Sequence, residues 1–407
     1  MNAILSCDIG VLPTVPDVLS MLEEGFSPVS GTETVPLIQA FGRVLAQDAK
    51  AALTVPASDC SAMDGYAFSF EGQGSLRQVG AVMAGAPLDR EIGPDECVAI
   101  ATGGVVPAGC DTVALREHCA DAGGYITVRA KGFGANVRHR GEDFCFGDTL
   151  VRAGARLHAR HIGLLAAAGI DELSVRRRPN LALVSLGDEL LREGPGGVRD
   201  ANRPMLNALC ASMELSVTDL GILPDRRCLL VETLAQSASR CDAIILSAGT
   251  SAGDEDHVRG AILDCGGELL VSGVAIRPGK PISFGRIGRM RVVALPGNPA
   301  AAYVTFLVLA RPLLQRLAGR TPASITWQSV TAGFQHRKKV GLREYLRVRL
   351  ANGPKGSLTA EPCRDNGPAT LSSLAAADGL VLLDEGCAGF APGDEISFAP
   401  FSALETA

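Results

Sequence analysis

Apolar residues in the first part of the chain recur at the period of an α-helix. In the segments 15–26 and 35–49 they lie three and four positions apart, which is the spacing that places side chains on one helix face. Residues 12–48 are therefore predicted to be helical. The helical period returns in 150–178, where it is followed by a short strand.

A different pattern separates these two helical stretches. Short β-like runs are divided by Gly, Pro and Asp, at 77–85, 96–104, 111–118 and 125–130, and such runs are typical of strands joined by turns. The pattern predicts a β-rich domain over 51–149. This domain interrupts a segmented helical linker domain that is made from 12–50 and 150–178.

Strand-like and helix-like segments alternate after Pro179. The apolar runs are 181–187, 215–223, 242–249, 269–275 and 290–297, and the helical stretches are 203–213, 225–239, 254–266 and 299–317. Alternation of this kind predicts a three-layer α/β domain over 179–323, with a mostly parallel sheet and helices on both faces. Residues 324–407 have short strands and Gly-rich turns, which predict a small C-terminal β-barrel or sandwich.

Composition limits the classes of protein to which the chain can belong. Its length of 407 residues predicts two to four domains. With 47% hydrophobic and 20% charged residues, the chain has enough apolar side chains to form hydrophobic cores. With 38 basic and 44 acidic residues, the formal net charge is −6. Because nucleic-acid binding usually needs a basic surface, we expect no nucleic-acid partner.

Neither export nor membrane insertion is expected. The most apolar run, 300–314, contains Arg311 and Pro312 and is shorter than the roughly 20 residues of a bilayer span. The N-terminus has no basic start and reaches Asp8 early, so it is a poor signal peptide. The 12 cysteines are scattered without a CxxC pair, which indicates reduced thiols in the cytoplasm.

Polar residues follow four of the strands in the predicted α/β sheet. They are Asp188-Glu189, Pro224-Asp225, the segment 250–256 and Asn298-Pro299. Each alone is a common helix cap or turn, but the carboxyl ends of parallel strands lie along one sheet edge. Gly-rich turns there can hold a phosphate and the carboxylates can bind a divalent cation. A site for a phosphorylated small molecule is predicted.

Further polar groups lie outside these four loops. Arg277 and Lys280 flank a Pro-Gly turn, which would direct two cations at an oxyanion; the spacing excludes a Walker loop. Two polar clusters, 61–67 and 101–104, lie in the inserted domain. His158 and His161 could share a helix face, but without a third ligand they are predicted to be surface or capping residues.

Eight motifs follow one another along the chain: SAMDGYAF, ATGGVVPAGCDTV, RGED, SLGDEL, DANRPML, SAGTSAGDEDHV, RPGKPISFG and LPGNPAAAYVTF. In this order they resemble the motifs of the molybdopterin molybdenumtransferases, to which the plant and gephyrin E domains are related. The resemblance covers residues 15–400. It implies four domains, a homodimer and a reaction that inserts molybdate into adenylylated molybdopterin and releases AMP. It also implies Mg²⁺ and transient contacts with molybdopterin adenylyltransferase and with molybdoenzymes.

The resemblance also implies roles for residues that match the family motifs. The catalytic positions are Asp64, Thr102, Glu189, Asp225 and Asp256, of which Glu189, Asp225 and Asp256 would hold the cation. Substrate positions in the α/β domain are Ser251, Asp254, Arg277, Lys280, Gly297 and Asn298. From the last domain, Arg343 or Arg347 and Ser372 or Ser373 would complete the molybdate cage.

Several residues depart from the family pattern. Arg277 stands where lysine is usual, Ala248-Gly249 replaces Gly-Gly, Thr250 replaces an apolar residue, and Pro368 replaces a small hydroxyl residue. All the acidic positions remain, so an active enzyme is predicted. The alternatives are an adenylyltransferase, a nicotinamide-nucleotide amidase, and a non-catalytic scaffold or cofactor carrier. The sequence leaves open whether molybdate or tungstate is preferred.

Overall fold

The computed structural model describes residues 12–191, 197–248, 254–321, 325–353, 356–363, 367 and 370–406, without the side chains of 248, 254–256 and 406. The chain forms two compact units. One contains the described residues up to Glu33 and those from Arg176 onward, and the other is Thr34–Val175. The finer domain boundaries given above stay predictions.

The elements of the described residues are numbered in chain order. The first strands are β1 Thr32–Pro36, β2 Ala49–Lys50, β3 Cys60–Ser61, β4 Gly65–Phe68, β5 Gly74–Val82, β6 Glu96–Ile100, β7 Thr112–Leu115, β8 Ala120–Asp121, β9 Tyr125–Val128, β10 Val137–Arg138, β11 Thr149–Val151 and β12 Glu172–Arg176. The later strands are β13 Asn180–Leu186, β14 Ser216–Leu223, β15 Ala243–Ala248, β16 Glu268–Ser272, β17 Ile276–Arg277, β18 Ser283–Ile287, β19 Met290–Pro296, β20 Gln328–Ala332, β21 His336–Arg337, β22 Arg343–Asn352, β23 Leu358–Pro362, β24 Gly379–Leu383, β25 Gly389–Phe390 and β26 Glu395–Pro400.

Most of the helices lie among the later strands. They are α1 Val15–Leu22, α2 Ala159–Ala167, α3 Asp188–Leu191, α4 Asn202–Ser212, α5 Arg227–Ala238, α6 Asp254–Asp264, α7 Pro299–Thr305, α8 Arg311–Leu317, α9 Leu371–Ala376 and α10 Phe401–Thr406. A π-helical segment, Phe306–Ala310, joins α7 to α8. None of the helices in the described ranges has both the length and the apolar character that crossing a bilayer requires.

The unit Thr34–Val175 is built mainly from strands. Its six-stranded sheet has the order β7-β4-β6-β5-β9-β8, and the four β-like runs predicted from the sequence all lie in it. Gly65 begins β4 where a Cβ atom would lie 1.9 Å from the Ala114 carbonyl oxygen. The close pairing of β4 with β7 therefore requires glycine in the MDGYA motif.

The helical prediction over 35–49 is wrong. This segment contains the end of β1, a 3-10 turn at Leu37–Gln39, and the start of β2. Val44 and Leu45 form isolated bridges to Arg156 and Val175, so their burial comes from chain more than a hundred residues away. The earlier helix, α1, is present, and α2 confirms the helix predicted in 150–178.

The α/β part of the other unit has the predicted arrangement. Its sheet order is β14-β13-β15-β19-β18-β16, with parallel pairing from β14 to β19 and antiparallel pairing at β18 and β16. Alternate residues of β13 enter different cores. Leu181 and Leu183 pack with α4 and α7, whereas Ala182 and Val184 pack with α5 and α6. Period-2 alternation thus buries both faces.

The C-terminal strands form a closed barrel. Five strands pair in the ring β22-β23-β20-β26-β24, since β24 also pairs with β22. The parallel strand β17 from the α/β part adds to β22, with Ile276 opposite Arg343 and Arg277 opposite Glu344. This pairing brings the RPGKP segment against the barrel.

Candidate functional site

Carboxylates meet at the carboxyl ends of β13 and β14, as predicted. The Asp188 N–H donates to Asp225 Oδ2 at 3.3 Å, and the Asp225 N–H donates to Asp188 Oδ1 at 3.2 Å. This reciprocal pair fixes the two loops to each other. Glu189 follows directly in α3 and is half-buried. Three acidic side chains therefore lie at one edge of the sheet, although Asp188 was not assigned a role from the sequence.

The remaining acidic candidates are only partly described. Helix α6 begins at Asp254, so the backbone of Asp254 and Asp256 starts a helix after β15, while their side chains, like the whole of Ser251 and Thr250, lie outside the described residues. Within the described part, no group of three His, Cys, Asp or Glu side chains is placed to hold a metal. Glu189 and Asp225 supply carboxylate oxygens, which are the donors that Mg²⁺ prefers.

The RPGKP segment is held by a buried acid on the barrel. Arg277 Nη1 lies 3.3 Å from Glu344 Oε1, and His336 Nε2 lies 3.1 Å from Glu344 Oε2. The Glu344 side chain is 4% exposed, whereas that of Arg277 is 65% exposed. A buried carboxylate needs such partners. The sequence alone did not identify Glu344 or His336, because their positions depend on the pairing of β17 with β22.

Lys280 lines a cavity of about 490 Å³ between this segment and the barrel. The same cavity is lined by Asn298 and Arg347. Lys280 is exposed, and its ammonium makes no hydrogen bond or ion pair with any described residue. The Asn298 Oδ1 atom is buried, again without a partner in the described part of the chain. The lining also includes the Arg277–Glu344 pair and His336 among largely apolar side chains. With Lys280 and Arg347 beside this pair, the charged groups of the lining are mostly positive, which suits an anion.

A tight turn sets the position of Lys280. Gly279 has φ +107°, and a Cβ atom there would lie 2.1 Å from Thr305 Cγ2. Thr305 is buried and donates its hydroxyl hydrogen to the Ala301 carbonyl at 2.7 Å. Only glycine suits both the backbone conformation and the close approach to α7.

The two arginines considered for the oxyanion lie in different surroundings. Arg343 donates to Glu385 at 3.1 and 3.2 Å and lines a separate cavity that does not include Lys280. Arg347 is buried, donates to the Gly367 carbonyl at 2.8 Å and lines the cavity of Lys280. The geometry therefore favours Arg347 over Arg343.

The two serine candidates lie in the first turn of α9. Ser372 is exposed, whereas Ser373 is buried and donates to the Thr370 carbonyl at 3.0 Å. Neither lines the cavity of Lys280. Pro368, which departs from the family pattern, lies outside the described residues.

Asp64 and Thr102 are brought together in the unit Thr34–Val175. The Thr102 N–H and its hydroxyl both donate to Asp64 Oδ1, at 2.7 and 2.9 Å. These two bonds, the backbone bond first, lower the pKa of Asp64, and the charge of Arg116 lowers it further. Asp64 is therefore held ionised on the protein surface. The sequence assigned the two residues separately and did not predict their contact.

The histidine pair of the sequence caps a helix. His158 precedes α2 as its N-cap, and its N–H donates to His161 Nδ1 at 3.2 Å, so the capping interpretation of this pair is confirmed. The eleven cysteines of the described part are all free. Burial raises the pKa of Cys210 to about 12, which makes its thiol unreactive.

Comparison with known proteins gives matches along most of the chain. Residues 14–169 match the MoeA N-terminal region (domain I and II), 182–316 a probable molybdopterin binding domain, and 329–401 the MoeA C-terminal region (domain IV). A protein of Haemophilus influenzae named molybdopterin molybdenumtransferase is 31% identical over 94% of this chain and 97% of its own. One of the same name from Bacillus subtilis is 30% identical over 90% and 89%.

A solved structure has the same fold. The crystal structure of the molybdopterin biosynthesis MoeA protein from Pyrococcus horikoshii aligns with a TM-score of 0.82 over 96% of this chain and 100% of that chain, at 24% sequence identity. This likeness shows that the two chains share a fold.

Proposed function

Because the chain belongs to the molybdopterin molybdenumtransferase family, we propose that it inserts molybdate into adenylylated molybdopterin and releases AMP. This step completes the synthesis of the molybdenum cofactor. One observation supports this proposal at the level of residues: the exposed side chain of Lys280 lines a cavity of about 490 Å³. A cation without a partner among the described residues is available for an anionic substrate.

Molybdate is the anion that we assign to this cavity. It is a tetrahedral dianion, so cations and hydrogen-bond donors from several directions suit it. Lys280 and Arg347 line the cavity, and Arg277 lies on the same segment. Lys280 would bind the dianion directly, and Arg347 replaces Arg343 in this assignment. Ser372 remains a candidate donor from α9.

The carboxylates at the edge of the α/β sheet would bind the metal ion that acts on the phosphate groups. Glu189, Asp225 and Asp256 would hold Mg²⁺, with Asp254 beside them, because carboxylate oxygens suit this hard cation. When bound, the ion would neutralise the charge of the phosphate groups. The contact between Asp188 and Asp225 orients the loop that carries Asp225.

The pterin and its phosphate would lie where the sheet edge meets the LPGNP turn. Ser251, Gly297 and Asn298 are the residues that we assign to them. The buried Asn298 Oδ1 atom, which has no partner in the described chain, supports this assignment because such an atom gains a hydrogen bond from a bound ligand.

Asp64 and Thr102 would act in the same reaction. The two bonds from Thr102 keep the Asp64 carboxylate ionised, which suits a group that accepts a hydrogen bond from the attacking water. Thr102 would then be a positioning residue for Asp64. We further propose a cytoplasmic homodimer that contacts molybdopterin adenylyltransferase and molybdoenzymes transiently.

AMP release from adenylylated molybdopterin tests this function. We expect release to require molybdate and Mg²⁺, and the product to reconstitute a cofactor-free molybdoenzyme. A protein that binds the pterin and releases no AMP under these conditions would be a carrier or scaffold, and the proposal would be wrong.

A further inference from the structure

One buried amide connects two of the loops at the carboxyl edge of the α/β sheet. Asn202, the first residue of α4, is 6% exposed. Its Nδ2 atom donates to Ser247 Oγ and to the Gly297 carbonyl oxygen, each at 2.7 Å. Both hydrogens of the amide are therefore used, one for each loop.

The two acceptors belong to neighbouring strands. Ser247 lies near the end of β15, and Gly297 follows directly after β19. These strands pair in parallel, with Ser247 opposite Leu295. The amide of Asn202 therefore fixes the Gly297 carbonyl, and with it the turn that continues into Asn298, relative to the end of β15.

Asn202 is not well suited to a purely structural role. Its Oδ1 atom is buried and has no hydrogen-bond partner among the described residues, and the same holds for Ser185 Oγ on the adjacent strand. Leaving a buried acceptor unpaired costs free energy. Within the described part of the chain, such an acceptor calls for an explanation other than packing.

The start of α4 has a separate anchor. Asp200 accepts the Arg203 N–H at 3.1 Å and Arg203 Nε–H at 3.0 Å, while Arg203 Nη1 donates to Asp219 of β14 at 2.5 Å. These bonds attach the first turn of α4 to the sheet without Asn202. A substitution of Asn202 should therefore leave the helix in place.

We propose that Asn202 is a positioning residue for substrate binding, which holds the turn at Gly297 and Asn298 in the conformation that receives the pterin phosphate. This inference rests on the proposed function. The essential property is the N–H that donates to the Gly297 carbonyl; the oxygen of the same amide has no partner among the described residues.

The test compares Asn202→Asp with Ser247→Ala in the full-length protein. Asn202→Asp keeps the size of the side chain but cannot donate, whereas Ser247→Ala removes one acceptor and leaves the bond to Gly297. Calorimetric titration with adenylylated molybdopterin without molybdate would give Kd, AMP release would give KM and kcat, and thermal unfolding would give Tm.

We expect Asn202→Asp to raise Kd and KM for the pterin about tenfold or more, with kcat changed less than threefold. For Ser247→Ala, we expect Kd, KM and kcat each to stay within threefold of the wild-type value. A wild-type Kd in Asn202→Asp would overturn the inference. It would also be overturned if Asn202→Asp and Ser247→Ala had equally lowered Tm values and the same rise in Kd. If the wild type itself neither binds the pterin nor releases AMP, the proposed function fails, and this inference fails with it.

Discussion

The Arg277 guanidinium lies 3.3 Å from the carboxylate of Glu344, and the two residues face each other in the parallel pairing of β17 with β22. One of the two cations of the RPGKP segment is thus paired with a buried acid. The other, Lys280, has no ion-pair partner in the part of the chain that the structure describes. Glu344, on β22 of the barrel, lines the cavity. His336, on β21, which pairs with β25, lines it as well.

Glu344→Gln should weaken the hold of the barrel on Arg277 and His336. Replacing the buried carboxylate by a neutral amide removes the ion pair with Arg277 and a charge-assisted hydrogen bond with His336, the latter worth about 1.5–3 kcal/mol. We therefore expect a lower Tm in thermal unfolding and a higher KM for molybdate. Arg277→Lys keeps the charge found in the family and should have a smaller effect on KM; an equal effect would contradict a positioning role for Glu344.

Lys280→Ala should raise KM for molybdate at least about tenfold, because a charge-assisted hydrogen bond to the dianion is lost. Lys131→Ala is the matched control, since Lys131 is an exposed lysine of the other unit. Steady-state AMP release at varied molybdate concentration measures both. An unchanged KM in Lys280→Ala would contradict the assignment of molybdate to this cavity.

Thr102→Ala should alter the pH dependence of activity through Asp64. The Thr102 bonds lower the pKa of Asp64 in the folded protein, so the carboxylate stays ionised as the pH falls and protonates only below its ordinary value. Loss of the hydroxyl bond raises this pKa while the backbone bond remains. The acid limb of kcat/KM should therefore move to higher pH, and a profile identical to the wild type would contradict the assigned role.

The contact between Asp64 and Thr102 also makes folding stability depend on pH, in the direction set by the lowered pKa of Asp64. Because the pKa of Asp64 is lower in the folded state, its contribution to folding is present above the unfolded pKa and is lost as the pH falls through the folded pKa. Thermal unfolding of the wild type and of Thr102→Ala should therefore differ at neutral pH and converge in acid.

Gly279→Ala should displace the Lys280 segment, since the new Cβ atom would meet Thr305 Cγ2 at 2.1 Å. Overpacking of this kind costs about 1–3 kcal/mol. Thr305→Ser removes the methyl group and keeps the hydroxyl bond to Ala301, so the double variant should recover part of the lost Tm. No recovery in the double variant would show that the backbone conformation alone requires glycine.

The local pattern predicted the α/β part well because both faces of its central strands are buried by nearby helices. It failed at Val44 and Leu45, whose helical spacing is overridden by bridges to Arg156 and Val175. Distant pairing of this kind leaves no periodic signal. The contacts of Glu344 and Asn202 were missed for the same reason, since each depends on strands far apart in sequence.

The most direct test of the whole account is a single-turnover reaction of purified protein with adenylylated molybdopterin, Mg²⁺ and molybdate. We expect AMP release that depends on molybdate, and a loss of about 100-fold or more in Asp64→Asn, the range for a positioned acid–base group. AMP release at the wild-type rate from folded Asp64→Asn would contradict the site. Absence of release from the wild type would contradict the function.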